Sequence, residues 1–189
     1  MSVPQLIAER FTLRPLRETD VPEITAACQD PEILRWCMGV PLGYTEENAI
    51  SFVSFSHAAA ENGDELIWGI DFSGIFAGLI SLYDLTETKA EVGFWLAPAA
   101  RGQGILTDAA RVVLGFAFDP LGLGLDQVQW TAIEGNDGSE RIAVKLGFTD
   151  IQSVKDGTGG RPFKDGTATR LNARTATMTR TQFSEIGLV

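Results

Sequence analysis

A short glycine-containing segment is the part of the sequence best suited to chemistry. It reads Arg101-Gly102-Gln103-Gly104-Ile105-Leu106 and lies between a predicted strand and the start of a predicted helix. Glycines let several backbone N–H groups turn toward one ligand, and a helix N-terminus adds partial positive charge. The segment therefore predicts a phosphate or pyrophosphate site, although an isolated Gly-x-Gly also occurs in tight turns that bind nothing.

Two common phosphate-binding motifs do not fit these residues. The dinucleotide fingerprint requires a third glycine or alanine three residues after Gly104, where this chain has Thr107, and it normally opens a fold. A P-loop would end in Gly-Lys-Ser or Gly-Lys-Thr, which does not occur here. The sequence thus argues against a Rossmann oxidoreductase and against nucleotide hydrolysis.

The spacing of apolar residues predicts the elements that hold this segment in place, because strands alternate with period two and helices with period 3.6. Before it, we predict strands at Phe11–Leu16, Leu66–Phe72, Ile75–Tyr83 and Ala90–Leu96, short helices ending near Cys28 and Trp36, and a long helix from Thr45 to Asn62. After it, we predict a helix to Phe118, a strand at Asp126–Glu134, a helix at Asn136–Leu146, a strand at Phe148–Val154, a loop at Asp156–Asn172 and a closing strand at Arg174–Phe183. This order predicts one mixed α/β sheet with a V-shaped opening, in a single domain of residues 1–189.

Composition and charge limit the partners of the chain. Its 189 residues are 44% hydrophobic and carry a net charge of −10, so we expect a globular protein that repels nucleic acid and anionic membrane surfaces. The stretch from Trp36 to Thr88 has eight acidic residues and no Lys or Arg. This stretch is either a solvated face or an acidic surface that favours cationic partners.

Cysteine and histidine usage limits the cofactors. Cys28 and Cys37 are too far apart for a Cys-x-x-Cys pair, and His57 is the one histidine, so we expect no metal. The sequence has neither a signal-peptide core near its start nor an apolar run of membrane-spanning length. We therefore predict a cytoplasmic location.

Several sequence blocks together resemble a known family. They are Ala90-Glu91-Val92-Gly93-Phe94-Trp95-Leu96, the glycine-containing segment, Asn136-x-x-Ser139 and Lys145-Leu146-Gly147-Phe148. They resemble the GNAT acyltransferase superfamily, and their order is similar to its RimJ/RimL-like branch of ribosomal-protein N-terminal acetyltransferases. The resemblance runs from about Phe11 to the last strand. It implies the GNAT fold, a central, mostly antiparallel sheet splayed into a V and flanked by helices.

The same resemblance implies acetyl-CoA as a co-substrate. It places acetyl-CoA along Phe94, Trp95 and Leu96, with Arg101, Gly102, Gln103, Gly104, Ile105 and Leu106 around the pyrophosphate and Asn136 and Ser139 as further contacts. Leu106 departs from the family pattern, which has a small residue at that position.

Amine attack on a thioester needs a base and a proton donor for the leaving thiolate. Glu91 shares a strand face with Gly93 and Trp95 and is the candidate base; the alternative is a solvent-facing strand carboxylate. Asn136, Ser139 and Ala143 share one helical face, being spaced i, i+3 and i+7. Many family members have a tyrosine acid at the position of Ala143, so Ser139 is the candidate acid here. Alternatively, Asn136 and Ser139 only satisfy the backbone at a helix start.

Three hypotheses for the function follow. The leading one is an acetyl-CoA-dependent N-acetyltransferase acting on a primary amine, either a protein N-terminus or a small cationic amine, and family relatives leave a homodimer open. The second is a catalytically weak acyl-CoA-binding module, motivated by Leu106 and the missing tyrosine. The third, a nicotinamide oxidoreductase, predicts stabilisation by NAD(P) and none by CoA.

Overall fold

The structure, a computed structural model, describes residues 1–162 and 166–187. Within these residues the strands are β1 (Leu6–Ile7), β2 (Phe11–Pro15), β3 (Leu66–Phe72), β4 (Ile75–Tyr83), β5 (Lys89–Leu96), β6 (Gln127–Ile133), β7 (Gln152–Pro162) and β8 (Ala168–Thr179). The helices are α1 (Val21–Ala27), α2 (Pro31–Trp36), α3 (Glu46–Asn62), α4 (Ile105–Phe118), α5 (Asp137–Leu146) and α6 (Arg180–Ile186). None of the helices in these residues combines the length and the apolar character needed to cross a bilayer.

The strands form one sheet in the order β1-β2-β3-β4-β5-β6-β8-β7. Only β5 and β6 are parallel; the other neighbours in the described residues run antiparallel. The parallel pairing covers Lys89–Val92 against Gln127–Trp130, and β5 then continues to Leu96 without β6 beside it. The sheet therefore opens into a V after Val92, as the sequence predicted.

Apolar layers cover both faces of the sheet. On one face, α4 buries Ile105, Ala109 and Val113 against the sheet and α5. On the other face, α1 and α3 pack together over β3 and β4, with Ile24 and Val53 buried in a second cluster. The helix α3 starts at a Thr45 cap and ends at a left-handed glycine, as its sequence signals predict. These layers hold the two arms of the V in place.

A buried charge cluster joins the first arm of the V to the helices. Arg14 on β2 is 5% exposed and donates two hydrogen bonds of 2.8 Å to the Asp20 carboxylate and one of 3.1 Å to Asp71 on β3. Asp20 also accepts the backbone N–H of Arg17, so its side chain closes the turn before α1. The hydrogen bond to Asp20 is the main cause that raises the pKa of Arg14. The Asp20 side chain therefore binds Arg14 and the turn before α1. It makes no capping hydrogen bond to the start of α1.

The C-terminal third corrects part of the predicted secondary structure. The strand predicted at Phe148–Val154 begins only at Gln152, and the loop predicted at Asp156–Asn172 is largely the paired strands β7 and β8, apart from residues 163–165, which lie outside the described residues. The strand predicted at Arg174–Phe183 ends at Thr179, which caps α6.

The irregular pairing and the exposure of these strands explain the errors. The β7–β8 pairing is irregular, with register shifts between Val154 and Thr158 and between Gly159 and Pro162. Two glycines of this segment lie in tight contacts: a Cβ on Gly157 would meet Val154 Cβ at 2.8 Å, and a Cβ on Gly160 would meet Thr169 Oγ1 at 2.5 Å. In addition, β7 is a mostly exposed edge strand, so its sequence is polar and resembles that of a loop.

Candidate active site

A cleft of about 1340 Å³ opens where β5 leaves β6. It is lined by the free ends of these two strands, the segment that precedes α4, the start of α5 and parts of α2 and α3. The residues predicted for the site that line it are Glu91, Phe94, Trp95, Leu96, Arg101, Gly102, Gly104, Ile105, Leu106, Asn136 and Ser139. Gln103 does not line it; its side chain donates to the Ala99 carbonyl. The fold thus brings together two regions about 40 residues apart in the sequence.

The glycine segment offers a row of backbone donors. Gly102 and Gly104 have φ of +76° and +77°, and a Cβ on either would meet no atom within 4 Å. In the described part of the chain, the N–H groups of residues 102–107 donate to no protein acceptor; the first amide of this region that does so is that of Asp108, to Gly104. Unpaired amides at a helix start attract anions. This row is suited to a phosphate or pyrophosphate.

Arginine side chains hold this segment in shape. Arg10 donates to the Gln103 carbonyl at 3.1 Å and pairs with Asp108 at 3.1 Å, while Arg101 donates to the Leu96 carbonyl at 3.2 Å and pairs with Asp30 at 2.7 Å. Burial opposes ionisation of Asp30, but the hydrogen bond from Arg101 and the backbone donors at the start of α2 lower its pKa overall. The guanidinium of Arg101 is therefore already committed to protein groups, and phosphate steering by Arg101 stays a prediction.

Leu106 packs with the main hydrophobic core and is 8% exposed. The departure from the family pattern thus adds core contacts at the start of α4. Its backbone N–H is one of the unpaired donors of the glycine segment.

Glu91 lies on the inner side of the cleft with both carboxylate oxygens hydrogen-bonded. The Tyr83 hydroxyl donates to Oε1, and Gln129 Nε2 donates to Oε2 at 3.1 Å. Asp84 and Glu65 also line the cleft. Burial raises the pKa of Glu65, and a hydrogen bond from Ser81 partly offsets this rise. The charges of Glu91, Asp84 and Glu65 all act on the Tyr83 phenol.

Ser139 lies across the cleft at the start of α5. Asn136 is the N-cap of this helix and accepts the Ser139 N–H at 3.2 Å through Oδ1. The Ser139 Oγ accepts the indole N–H of Trp130 at 3.0 Å, which leaves its own O–H free to donate elsewhere. Ala143 is fully buried below Ser139 and provides no hydroxyl. Both Asn136 and Ser139 therefore have structural contacts, and their predicted roles toward acetyl-CoA stay predictions.

The sequence analysis did not identify Tyr83 and Gln129, the two residues that hydrogen-bond Glu91. Tyr83 and Gln129 contact Glu91 from the two neighbouring strands, where both lie directly opposite it. The strand register that brings them together cannot be read from the sequence. Arg141 and Lys145 of α5 also line the cleft. Among the described residues, no group of three or more His, Cys, Asp or Glu is placed to hold a metal ion.

Comparison with known families decides what kind of protein has this cleft. Residues 10–149 match the family described as acetyltransferase (GNAT) domain, which is about three quarters of the 189 residues. The chain belongs to the GNAT acetyltransferase family. The predicted superfamily, fold and enzyme class are thereby confirmed.

Individual relatives of this GNAT protein agree with the predicted branch. A Bacillus subtilis (strain 168) protein named "Putative ribosomal N-acetyltransferase YdaF" is 35% identical over 91 residues, which are 47% of this chain and 49% of that protein. The match therefore spans about half the length of that relative.

Solved structures show the same fold. RimL, described as a ribosomal L7/L12 alpha-N-protein acetyltransferase in complex with coenzyme A, superposes with a TM-score of 0.73 at 16% identity, covering 95% of this chain and 98% of that chain. The microcin C7 self-immunity acetyltransferase MccE, in complex with acetyl-CoA and AMP, gives a TM-score of 0.72 at 19% identity, covering 91% of this chain and 93% of that chain. At these identities the GNAT fold is what is shared.

Proposed function

We propose that this GNAT protein transfers the acetyl group of acetyl-CoA directly to a primary amine, without a covalent enzyme intermediate. The observation that carries the proposal is the meeting of two features in one cleft. One is the end of β5 that β6 leaves unpaired, and the other is the row of free amides at residues 102–107. An unpaired strand edge can bind an extended chain with amide groups, and the amide row can bind phosphates. These two features fit the pantetheine arm and the pyrophosphate of one CoA molecule.

The residues on the two sides of the cleft fit the chemistry of acetyl transfer. When bound, acetyl-CoA would supply the thioester carbonyl that the amine attacks. Glu91 would accept a proton from the amine as the new C–N bond forms, directly or through water. Ser139 would donate a proton to the departing sulfur, since its O–H is not used by the protein contacts described above. Glu91 gains the proton that the amine loses, and Ser139 loses the proton that the sulfur gains as the C–S bond breaks. Passage of one proton from Glu91 to Ser139 through water would then restore both side chains, and the net products are the amide and CoA.

The charge of the cleft supports a cationic acceptor. Asp64, Glu65, Asp84 and Glu91 are among its lining residues. Carboxylates at a cleft mouth attract an ammonium group and raise its local concentration. RimL is described as a ribosomal L7/L12 alpha-N-protein acetyltransferase, which supports an α-amine, and YdaF is named as a putative ribosomal N-acetyltransferase. MccE, named for self-immunity to microcin C7, supports a smaller acceptor. A protein N-terminus is the first acceptor class to test and a small cationic amine the second.

Mass spectrometry of candidate acceptors tests the proposal. Acetyl-CoA and the protein are incubated with three probes: a basic peptide with a free α-amine, the same peptide with that amine blocked, and spermidine. We expect one acetyl group on the free peptide or on spermidine, and a loss of about a hundredfold in rate for Glu91→Gln. Glu87→Gln is the matched control, because Glu87 is exposed and lies outside the cleft lining. CoA binding without transfer to any amine would instead favour the acyl-CoA-binding module.

We also propose that residues 1–189 act as one GNAT domain. Beyond the family match at residue 149, β7 and β8 extend the same sheet, and Phe183 of α6 packs on Phe118 of α4 with ring centres 5.2 Å apart. The cytoplasmic location and the homodimer stay predictions.

A further inference from the structure

We propose that Tyr83 is a positioning residue for Glu91, fixing the orientation of its carboxylate in the cleft. The inference rests on the proposed function, because it assigns Tyr83 a task in the transfer reaction. It adds a residue that the sequence analysis did not single out for the site.

The first support is the direct pairing of the two residues. Tyr83 lies opposite Glu91 in the antiparallel β4–β5 register, and its hydroxyl donates to Glu91 Oε1. Directly opposed side chains in a sheet are neighbours on one face, so the contact follows from the register itself. A phenol O–H that donates to a carboxylate stabilises the charged form of that carboxylate.

The second support is the space made for the Tyr83 ring. A Cβ built on Gly93 would lie 3.0 Å from Cε1 of Tyr83, which is tighter than an ordinary contact. Gly93 is the first residue of β5 beyond its pairing with β6. The ring therefore lies over a side-chain-free position at the point where the cleft opens, and the glycine admits it there.

The third support is the second donor on the same carboxylate. Gln129 Nε2 donates to Glu91 Oε2 at 3.1 Å and also to Thr131 Oγ1 at 3.1 Å, and the Thr131 hydroxyl bonds that of Thr175 at 3.2 Å. Each carboxylate oxygen has two acceptor positions, so both retain capacity for an ammonium group or a water molecule. Two donors from opposite sides fix the orientation of the carboxylate while leaving it able to act as a base.

The charged surroundings keep Tyr83 in its donating form. Glu65 and Asp84 face the phenol as well as Glu91, and no basic group contributes to its ionisation. Burial, and next the charge of Glu91, raise the pKa of Tyr83 far above its usual value. The phenol thus remains protonated wherever the protein is folded and active.

Tyr83→Phe tests the proposal in a way that needs no acceptor. The side-chain carboxyl signal of Glu91 is recorded by ¹³C NMR at pH 7 and is assigned by its loss in Glu91→Gln. We expect this signal to shift in Tyr83→Phe relative to the unmodified protein, because the variant removes the hydrogen bond to Oε1. Tyr44→Phe is the matched control, because Tyr44 is the only other tyrosine, is buried, and does not line the cleft.

An unchanged Glu91 carboxyl signal in Tyr83→Phe would overturn the proposal, and this result stands even if no acceptor is ever acetylated. If Tyr83→Phe does not fold, Gln129→Leu removes the other donor from an exposed position and must also shift this signal. With spermidine or the basic peptide as acceptor, we expect kcat to fall about tenfold in Tyr83→Phe while KM for acetyl-CoA is unchanged. In the Glu91→Gln background the same change should have no further effect, whereas an additive loss would contradict a role exerted through Glu91.

Discussion

Replacing Gly104 by alanine separates the backbone strain of the glycine segment from its binding role. Gly104 has φ of +77°, and an added Cβ would meet no protein atom within 4 Å. The methyl group would therefore project from the segment beside the free amides rather than into the core. Gly74, in the turn between β3 and β4, has φ of +79°, is equally open and lies outside the cleft lining. Gly74→Ala is thus a control with the same strain and no expected ligand.

The two substitutions should cost similar stability but differ in binding. A left-handed backbone at alanine costs about 1–2 kcal/mol, so both variants should lose this much free energy of unfolding, or about 2–4 °C in Tm for each kcal/mol. A hydrogen bond to a charged group contributes about 1.5–3 kcal/mol. If the methyl group separates the pyrophosphate from one amide, the Kd for acetyl-CoA should rise at least about tenfold. Only Gly104→Ala should show this loss.

Isothermal titration calorimetry with acetyl-CoA gives Kd for the three proteins, and urea unfolding without ligand gives their stabilities. The reasoning would be refuted by equal affinities in the three proteins, or by an equal loss of affinity in Gly74→Ala. The first result would mean that the free amides do not hold the pyrophosphate, and the second that strain alone explains the change.

Three further substitutions test other parts of the site and its support. Ser139→Ala should lower kcat at saturating acetyl-CoA by about tenfold or more in steady-state assays, because it removes the proposed proton donor. Arg10→Ala should raise the Kd for acetyl-CoA severalfold in calorimetry, since it frees the Gln103 carbonyl that Arg10 holds. Asp20→Asn should destabilise the protein by about 3 kcal/mol in urea unfolding, because it leaves the buried Arg14 without its main charge partner.

Exposed residues of the same types provide the controls. The control variants are Ser184→Ala, Arg17→Ala and Asp126→Asn, at residues outside the cleft lining. They should leave kcat and Kd unchanged and the free energy of unfolding within about 0.5 kcal/mol of the unmodified protein. An unchanged kcat in Ser139→Ala would remove the acid role from that residue. Equal Kd values for Arg10→Ala and Arg17→Ala would show that Arg10 does not shape the glycine segment. Equal stability of Asp20→Asn and Asp126→Asn would show that the buried Arg14–Asp20 pair does not stabilise the fold.

The sequence predicts the elements around the cleft well because their signals are local. Strands β3 and β4 alternate in burial only weakly, but a two-residue turn with Ser73 and Gly74 separates them clearly. Helix α4 begins at a left-handed glycine and ends before a proline, and both signals are readable from the chain. The strands β7 and β8 were not predicted by the same approach, because their pairing depends on strands distant in the sequence and because Gly157 and Gly160 lie in close contacts rather than in a loop.

The same distinction between local signals and long-range contacts applies to the residues of the site. The glycine segment, Glu91 and Ser139 come from sequence blocks and from family resemblance, so the sequence could place them. Tyr83 and Arg10 could not be found in that way, because their roles depend on which strands become neighbours and on side chains that reach across the fold. Gly93 is the one local signal for Tyr83, since a glycine inside a strand often marks a close approach of another group.

Thermal unfolding with acetyl-CoA, CoA or NAD tests the central claim most directly, because a ligand that binds only the folded protein must raise Tm. A ligand at a hundred times its Kd adds about 2.7 kcal/mol, which is a rise of several degrees for a chain of this size. The account predicts this rise with acetyl-CoA and with CoA, and none with NAD. No rise at millimolar acetyl-CoA would contradict it, and would mean that this GNAT cleft does not hold the co-substrate.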